Sequence, residues 1–324
     1  MPGKVFITRR ISESAITLLE SKLGKVAVSP HDRPLTRDEL LENLGDCVGL
    51  LCMLTDRMDA AAIEAAPKLK VIANHAVGFD NIDVAAATRR KIAVTNTPDV
   101  LNDATADMAW ALLFAAARRV AEGDRGLRAG NFPAWGPAVF LGADITGTTL
   151  GIVGAGRIGS AMARKSIGFK MPVLYCDHTP RTELGRDLHA RKVGLDELLR
   201  ESDFVSVHVP LLPETRHLIG RDQLRMMKTT AVLVNTSRGP VIDESALVEA
   251  LRERRIAAAG LDVYENEPRL APGLAELANV VLTPHIASAT PATRRGMAEM
   301  AARNIVAALT GEAPPNCLNR EIYG

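Results

Sequence analysis

The chain of 324 residues is 47% hydrophobic and 24% charged, a balance that suits a globular protein with a sizeable core and excludes a largely disordered one. Its 39 Lys and Arg stand against 38 Asp and Glu, so no net basic field attracts nucleic acid or an anionic membrane surface. At this length two domains are expected, and Cys47, Cys52, Cys176 and Cys317 show neither CxxC nor zinc-ligand spacing, which reads as reduced thiols without a metal site.

The amino terminus runs directly into a strand-like segment and lacks the longer apolar core of a signal peptide, so a cytoplasmic location is expected. From Lys4 to Thr95 short apolar runs alternate with helical patterns. Val5–Ile7, Gly49–Met53, Val71–Ala73 and Ile92–Thr95 read as strands of βαβα units. Thr36 and Glu39, ahead of Leu40 and Leu41, have capping-box spacing and mark a helix start between two of those strands. One long helix is expected from about Thr105 to Glu122; its apolar stretch, Met108 to Ala117, is too short to cross a bilayer and reads as buried. Gly130–Pro137 contains too many glycines and prolines for helix or inner strand and reads as an arm or linker.

A second alternation begins at Thr148, with strands at Leu150–Val153, Val173–Cys176, Phe204–Val207, Ala231–Asn235, Ala258–Asp262 and Val280–Thr283. The last helical stretch, Pro291 to Thr310, stops at Gly311 and the Pro314-Pro315 pair, and pattern alone does not say which unit it joins. The fold class implied is α/β, with two doubly wound parallel-sheet, Rossmann-like domains and a cleft between them.

Arg238, Glu267 and His285 each lie just past one of the last three strands. In an open parallel sheet, ligands bind outside the carboxyl ends of the strands, so these residues are expected to converge as an anion clamp, a carboxylate and an acid/base. Taken singly, each reads as an ordinary surface or packed residue; the joint placement favours function. Gly154-Ala155-Gly156-Arg157-Ile158-Gly159 matches GxGxxG after a strand and before a helix, and Asp177 ends the next strand at about the expected twenty-residue distance. That is a dinucleotide turn, with the pyrophosphate on amides at a helix start. Asp177 accepts from ribose hydroxyls and repels a 2′-phosphate, which favours NAD(H); His178, Thr179 and Arg181 just beyond it leave NADP(H) open.

With these motifs, and with Asn235–Pro240, Gly260–Val263, Glu267-Pro268 and Thr283–Ile286, the chain closely resembles the D-isomer-specific 2-hydroxyacid dehydrogenases over nearly its whole length. Ala76–Asp83, Asn96–Leu101, Phe140–Gly142 and Met227–Ala231 bring it nearest the glyoxylate/hydroxypyruvate reductase branch, and 2-ketogluconate reductases share many of these phrases. The resemblance implies a substrate-binding domain of residues 1–99 plus 290–324 and a dinucleotide-binding domain of residues 100–289. It implies a homodimer built through the nucleotide domains, with the Trp135 segment near the neighbouring subunit. It makes Arg238, Glu267 and His285 the catalytic set, with Arg238 and His285 also contacting substrate beside Met53, Leu54 and the amides of Val77 and Gly78. Thr105, His208, Pro210, Thr215, Thr236 and Asp262 fall where the family contacts its cofactor. Asp107 stands where many relatives carry Glu, and Asp177 departs from the basic residue usual in NADPH-preferring members.

Glyoxylate or hydroxypyruvate is thus the expected substrate, 2-ketogluconate or another small 2-oxo acid the alternative. Formate-oxidising relatives pair His with Gln where this chain has Glu267, and phosphite-oxidising ones carry Lys where it has Val77. Phosphoglycerate dehydrogenases often add a regulatory domain, and here the chain ends at Gly324. A nucleotide-sensing, corepressor-like binding module is the non-enzyme alternative, against which the intact Arg238, Glu267 and His285 set argues.

Overall fold

The computed structural model describes residues 3–324 and divides them into two compact units, one of residues 3–101 with Ala289–Gly324 and one of Asn102–Ser288. In the first unit β1 (Lys4–Ile7), β2 (Ala27–Val28), β3 (Cys47–Cys52), β4 (Val71–Asn74) and β5 (Ala93–Thr95) form a parallel sheet ordered β2-β1-β3-β4-β5. Side chains alternate across this sheet. Phe6, Leu50, Ile72 and Val94 pack with Leu40, Leu44 and Ile63 on one face, while Val5, Ile7, Leu51, Val71 and Ala93 pack with Leu19, Ala298, Ala301 and Ile305 on the other. Burial on both faces explains why β3 is an unbroken apolar run. Each buried Val, Leu, Ile or Phe side chain among them contributes about 1.5–3 kcal/mol by leaving water.

The helix Pro291–Thr310 belongs to this first unit. Thr290 caps its start by accepting from Thr293 N–H, proline occupies its first turn, and Gly311 ends it at φ +93°. The capping box at Thr36 and Glu39 forms as its spacing predicts: Thr36 Oγ1 accepts from Glu39 N–H at 3.3 Å, and Glu39 accepts from Thr36 N–H at 2.8 Å.

The second unit holds β6 (Leu150–Val153), β7 (Val173–Cys176), β8 (Arg191–Lys192), β9 (Phe204–Val207), β10 (Val232–Asn235), β11 (Ala258–Leu261) and β12 (Val280–Leu282), ordered β12-β11-β10-β9-β6-β7-β8 and parallel throughout. The strand order reverses between β6 and β9, the switch point at which such sheets open to ligand. One face is covered by Leu198, Leu224, Leu247 and Leu251. The other is covered by Trp110, Leu113, Met162 and Ala163, where Trp110 also donates its indole N–H to Met162 O at 3.1 Å.

Two expectations need correction. The helix expected from Thr105 to Glu122 is two helices, Asn102–Ala117 and Val120–Arg128, separated at Arg119, whose φ of +53° lies in the left-handed region. A left-handed residue cannot continue a right-handed helix, and the Arg119 guanidinium secures the bend by donating to both Glu122 oxygens at 2.7 Å. The strands β2 and β8 lie outside the predicted set because two residues at a sheet edge carry no periodicity to detect. Among the described residues, no helix is long and apolar enough to cross a membrane.

Candidate active site

In the second unit β6 ends at Val153 and the chain turns through Gly154, at φ +90°, into the helix Arg157–Lys165. The three motif glycines answer three different demands. A Cβ on Gly154 would lie 2.8 Å from Val209 N, and one on Gly159 would lie 2.1 Å from the Gly154 carbonyl oxygen, whereas one on Gly156 would meet nothing within 4 Å. A tight turn, a close helix-to-strand approach and an open backbone face are what a pyrophosphate needs if it is to rest on amides at a helix start. The residues present therefore fit a dinucleotide.

Asp177 follows β7 directly. Its Oδ1 accepts from Thr179 N–H at 2.9 Å, and its Oδ2 lies 3.4 Å from Arg181 Nη2. The acid that would receive ribose hydroxyls thus already shares its charge with a guanidinium. Arg181 N–H donates to the Tyr175 hydroxyl at 2.9 Å, while Arg181 Nε and Thr236 Oγ1 are buried polar atoms with no hydrogen-bond partner. Leaving such an atom unsatisfied costs about 1–3 kcal/mol, so strand-end orphans of this kind suit a site completed by a polar ligand.

At the other side of the sheet His285, three residues past β12, has φ +53°, a conformation that a non-glycine residue adopts only when its surroundings enforce it. Asp262 is the enforcer. Completely buried at the end of β11, it accepts from Thr283 Oγ1 at 2.6 Å, Ile286 N–H at 2.8 Å and Ala287 N–H at 2.7 Å, while its carbonyl accepts from His285 N–H at 2.9 Å. His285 Nδ1 then lies 2.9 Å from Glu267 Oε2. A carboxylate only accepts, so Nδ1 carries the proton and Nε2 is directed away from Glu267. Burial pushes the Glu267 carboxyl up, but the hydrogen bond and charge of His285, the Tyr264 amide and the Arg238 charge together hold it below the ordinary carboxylate value.

Arg238 comes off β10 in a turn built by Asn235, whose Nδ2 donates to Arg238 O at 3.0 Å and whose Oδ1 accepts from Ser237 N–H and Oγ–H. Gly239 lets that turn lie against the loop carrying Glu267: a Cβ there would fall 1.9 Å from the Tyr264 carbonyl carbon. The Glu267 loop is held in turn by buried Glu244, which accepts from Glu265 N–H at 3.0 Å and Ala271 N–H at 3.3 Å, and by Tyr264, whose hydroxyl donates to Thr283 O at 2.8 Å. The strand-end set predicted from sequence is therefore brought together within one unit. Glu244, Tyr264 and Gly239 were outside that set, since an acid in a first helical turn, an aromatic and a turn glycine carry no signal of this bracing in sequence.

The remaining predicted cofactor residues occupy varied environments. Thr105 is buried in the first turn of its helix. His208 follows β9 with its Nε2 2.8 Å from Ser206 Oγ, and burial lowers its pKa to about 4, so it is neutral at physiological pH. Pro210 is exposed, and Thr215 is committed to its own loop, donating to Pro210 O at 2.6 Å and accepting from Leu212 N–H at 2.8 Å. Asp107 pairs with Lys165 at 3.0 Å on the surface. In the first unit Met53 and Leu54 follow β3, and Val77 and Gly78 follow β4, all half-buried at the carboxyl ends of those strands.

Comparison with known proteins gives the same picture. Residues 110–287 match the family model of the D-isomer specific 2-hydroxyacid dehydrogenase, NAD binding domain. A glyoxylate reductase of Thermococcus onnurineus is 51% identical, covering 99% of this chain and 97% of its own. Among solved structures, the TT0316 protein of Thermus thermophilus has a TM-score of 0.90 and 45% identity over 97% of this chain and 99% of its own. An NADPH-dependent glyoxylate/hydroxypyruvate reductase from Sinorhizobium meliloti, solved with NADP and malonate, has a TM-score of 0.83 and 31% identity over 98% and 97%. The expected resemblance is borne out: the chain belongs to the D-isomer-specific 2-hydroxyacid dehydrogenases.

Proposed function

We propose that this dehydrogenase reduces a small 2-oxo acid, glyoxylate or hydroxypyruvate first among them, to the 2-hydroxy acid, of D configuration where the carbon is stereogenic. The observation that carries the reading is the His285 Nδ1–Glu267 pair, fixed beside the Arg238 turn at the ends of neighbouring strands. Bound NAD(P)H supplies the hydride. His285, protonated at Nε2, gives its proton to the carbonyl oxygen as negative charge develops there, and so completes addition of hydride and proton across C=O. Glu267, ionised because its carboxyl is held below the ordinary value, accepts from Nδ1–H and so keeps the ring oriented with Nε2 free for the substrate. Arg238 holds the substrate carboxylate through a planar fork that Lys would not reproduce. In the first unit Val77 and Gly78 offer main-chain amides suited to a carboxylate, and Met53 and Leu54 offer apolar side chains at the neighbouring strand end.

For the cofactor, Asp177 supports NAD(H), and the Asp177–Arg181 contact supports tolerance of NADP(H). A homodimer is supported by Leu127, Phe132, Trp135 and Leu141, large apolar side chains left exposed along one segment of the chain. A cytoplasmic location is supported by four free cysteines, three of them buried. The test is turnover: purified protein with NADH and NADPH should reduce glyoxylate or hydroxypyruvate, and kcat/KM for the two cofactors should converge in Asp177→Ala. Failure to oxidise either cofactor with any of a panel of 2-oxo acids would leave the nucleotide-sensing module as the reading.

A further inference from the structure

We infer that Asn96 and Asn74 are positioning residues for substrate, holding a row of three main-chain amides, Val77, Gly78 and Phe79, outward to receive the carboxylate. The inference rests on the 2-oxo acid reading and adds to it a third amide and the side chains that aim the row. The observation is a set of three successive carbonyls, each drawn into the first unit by a donor from a strand end. Ala76 O accepts from Thr97 N–H at 2.9 Å, Val77 O from Asn96 Nδ2 at 2.8 Å, and Gly78 O from Asn74 Nδ2 at 2.8 Å.

In a trans peptide plane the carbonyl of one residue and the N–H of the next point in opposite directions, and none of these three bonds is cis. Holding the carbonyls of Ala76, Val77 and Gly78 inward therefore turns the N–H groups of Val77, Gly78 and Phe79 outward. A donor on each carbonyl also polarises the peptide and strengthens its N–H as a donor. The surroundings match a surface loop with a fixed base: Asn74 and Asn96 are buried, while Phe79 is exposed.

Both asparagines are themselves locked. The Asn96 carbonyl accepts from Asn304 Nδ2 at 3.3 Å, and Asn304 Oδ1 accepts from Asn316 N–H at 3.2 Å, so the carboxyl-terminal helix and the segment after it fix Asn96. Asn74 Nδ2 also donates to Asn81 Oδ1 at 3.1 Å, and Asn81 Nδ2 donates to Met53 O at 3.2 Å and Asp56 O at 3.0 Å. The Met53–Asp56 turn and the amide row thus share one support. Neutral amides suit this role, because they aim the carbonyls without placing a full charge behind a site for an anion. An aspartate at position 96 would turn a carboxylate oxygen toward the Val77 carbonyl and drive it away.

The test uses the full-length protein. Asn96→Leu keeps the γ-branched shape and removes the donor; it should raise KM for glyoxylate by about tenfold or more, the scale of a misplaced positioning group, with a smaller fall in kcat. The Kd for NADH, read by fluorescence, should stay within about twofold, since the substitution lies in the other unit. A lowered melting temperature with KM unchanged would overturn the inference, since that is what a merely structural asparagine predicts. Should the Leu variant not fold, an amide NMR titration of the wild type with oxamate in the presence of NAD decides: the Val77, Gly78 and Phe79 resonances should all move, and a stationary Phe79 amide overturns the three-amide row. Wild type without turnover on any 2-oxo acid defeats the proposed function and this inference with it, whereas normal wild-type turnover with an unaltered Asn96→Leu KM defeats this inference alone.

Discussion

The two sheets end in opposite chemistry. In the first unit the ends of β3, β4 and β5 carry main-chain groups braced by the neutral amides of Asn74, Asn81 and Asn96. Asp56, buried there, is spent on Thr8 Oγ1 and Met53 N–H, and its carboxyl is pushed above the ordinary value by burial. In the second unit the ends of β10, β11 and β12 carry a guanidinium, a carboxylate and an imidazole, the last two paired at 2.9 Å. The same architecture thus ends in two kinds of group: main-chain dipoles braced by neutral amides at one edge, and side chains that can carry charge at the other.

Substitutions can break this contrast, the hardest being His285→Ala. Removing a positioned acid should lower kcat for glyoxylate reduction by at least about 10²-fold with NADH binding retained, and an unchanged rate would remove His285 from the reaction. Arg238→Lys keeps the charge but loses the fork, so kcat/KM should fall by roughly tenfold or more, the value of a charge-assisted hydrogen bond of about 1.5–3 kcal/mol; parity with wild type would show that charge alone suffices.

Glu267→Gln sharpens the comparison through pH. The Glu267 carboxyl is held below the ordinary carboxylate value, so Glu267 is ionised at neutral pH and its contribution as an acceptor for His285 is lost as pH falls through that depressed value. A neutral amide in its place cannot be protonated in that range, so the loss of reduction on the acid side that follows Glu267 protonation should be absent from the variant's pH profile, with a lower kcat throughout. A profile that superimposes on the wild-type curve would mean that Glu267 has no part in the reaction. Smallest is Thr36→Ala, far from either set: loss of this cap should cost about 1 kcal/mol of stability in denaturant melts while kinetic constants stay within about twofold.

Much of this was legible beforehand for a definite reason. Strands buried on both faces have to be continuous apolar runs, so β3, β6, β9 and β10 stand out, and residues just beyond such runs are candidates because strand ends are where parallel sheets open. The glycine turn was legible because each glycine meets a separate backbone demand. The break at Arg119 was not, because a left-handed residue held by a side-chain bridge to Glu122 leaves the apolar pattern of the flanking helices intact. The bracing of His285 by Asp262, and of the Glu267 loop by Glu244, was equally hidden: an acid that accepts main-chain N–H groups looks, in sequence, like any other acid.

By itself, then, the sequence determined the family, the parallel α/β architecture and the identities of the groups that can do chemistry, because periodicity, turn glycines and strand-end residues are local properties of the chain. Tertiary structure alone decided their geometry: which nitrogen of His285 faces Glu267, how Asp262 enforces the left-handed backbone beneath it, and which way the amides of Val77, Gly78 and Phe79 point. Those are matters of hydrogen bonds between residues distant in sequence, such as Asn96 with Asn304, and no local pattern encodes a partner that the fold has yet to deliver.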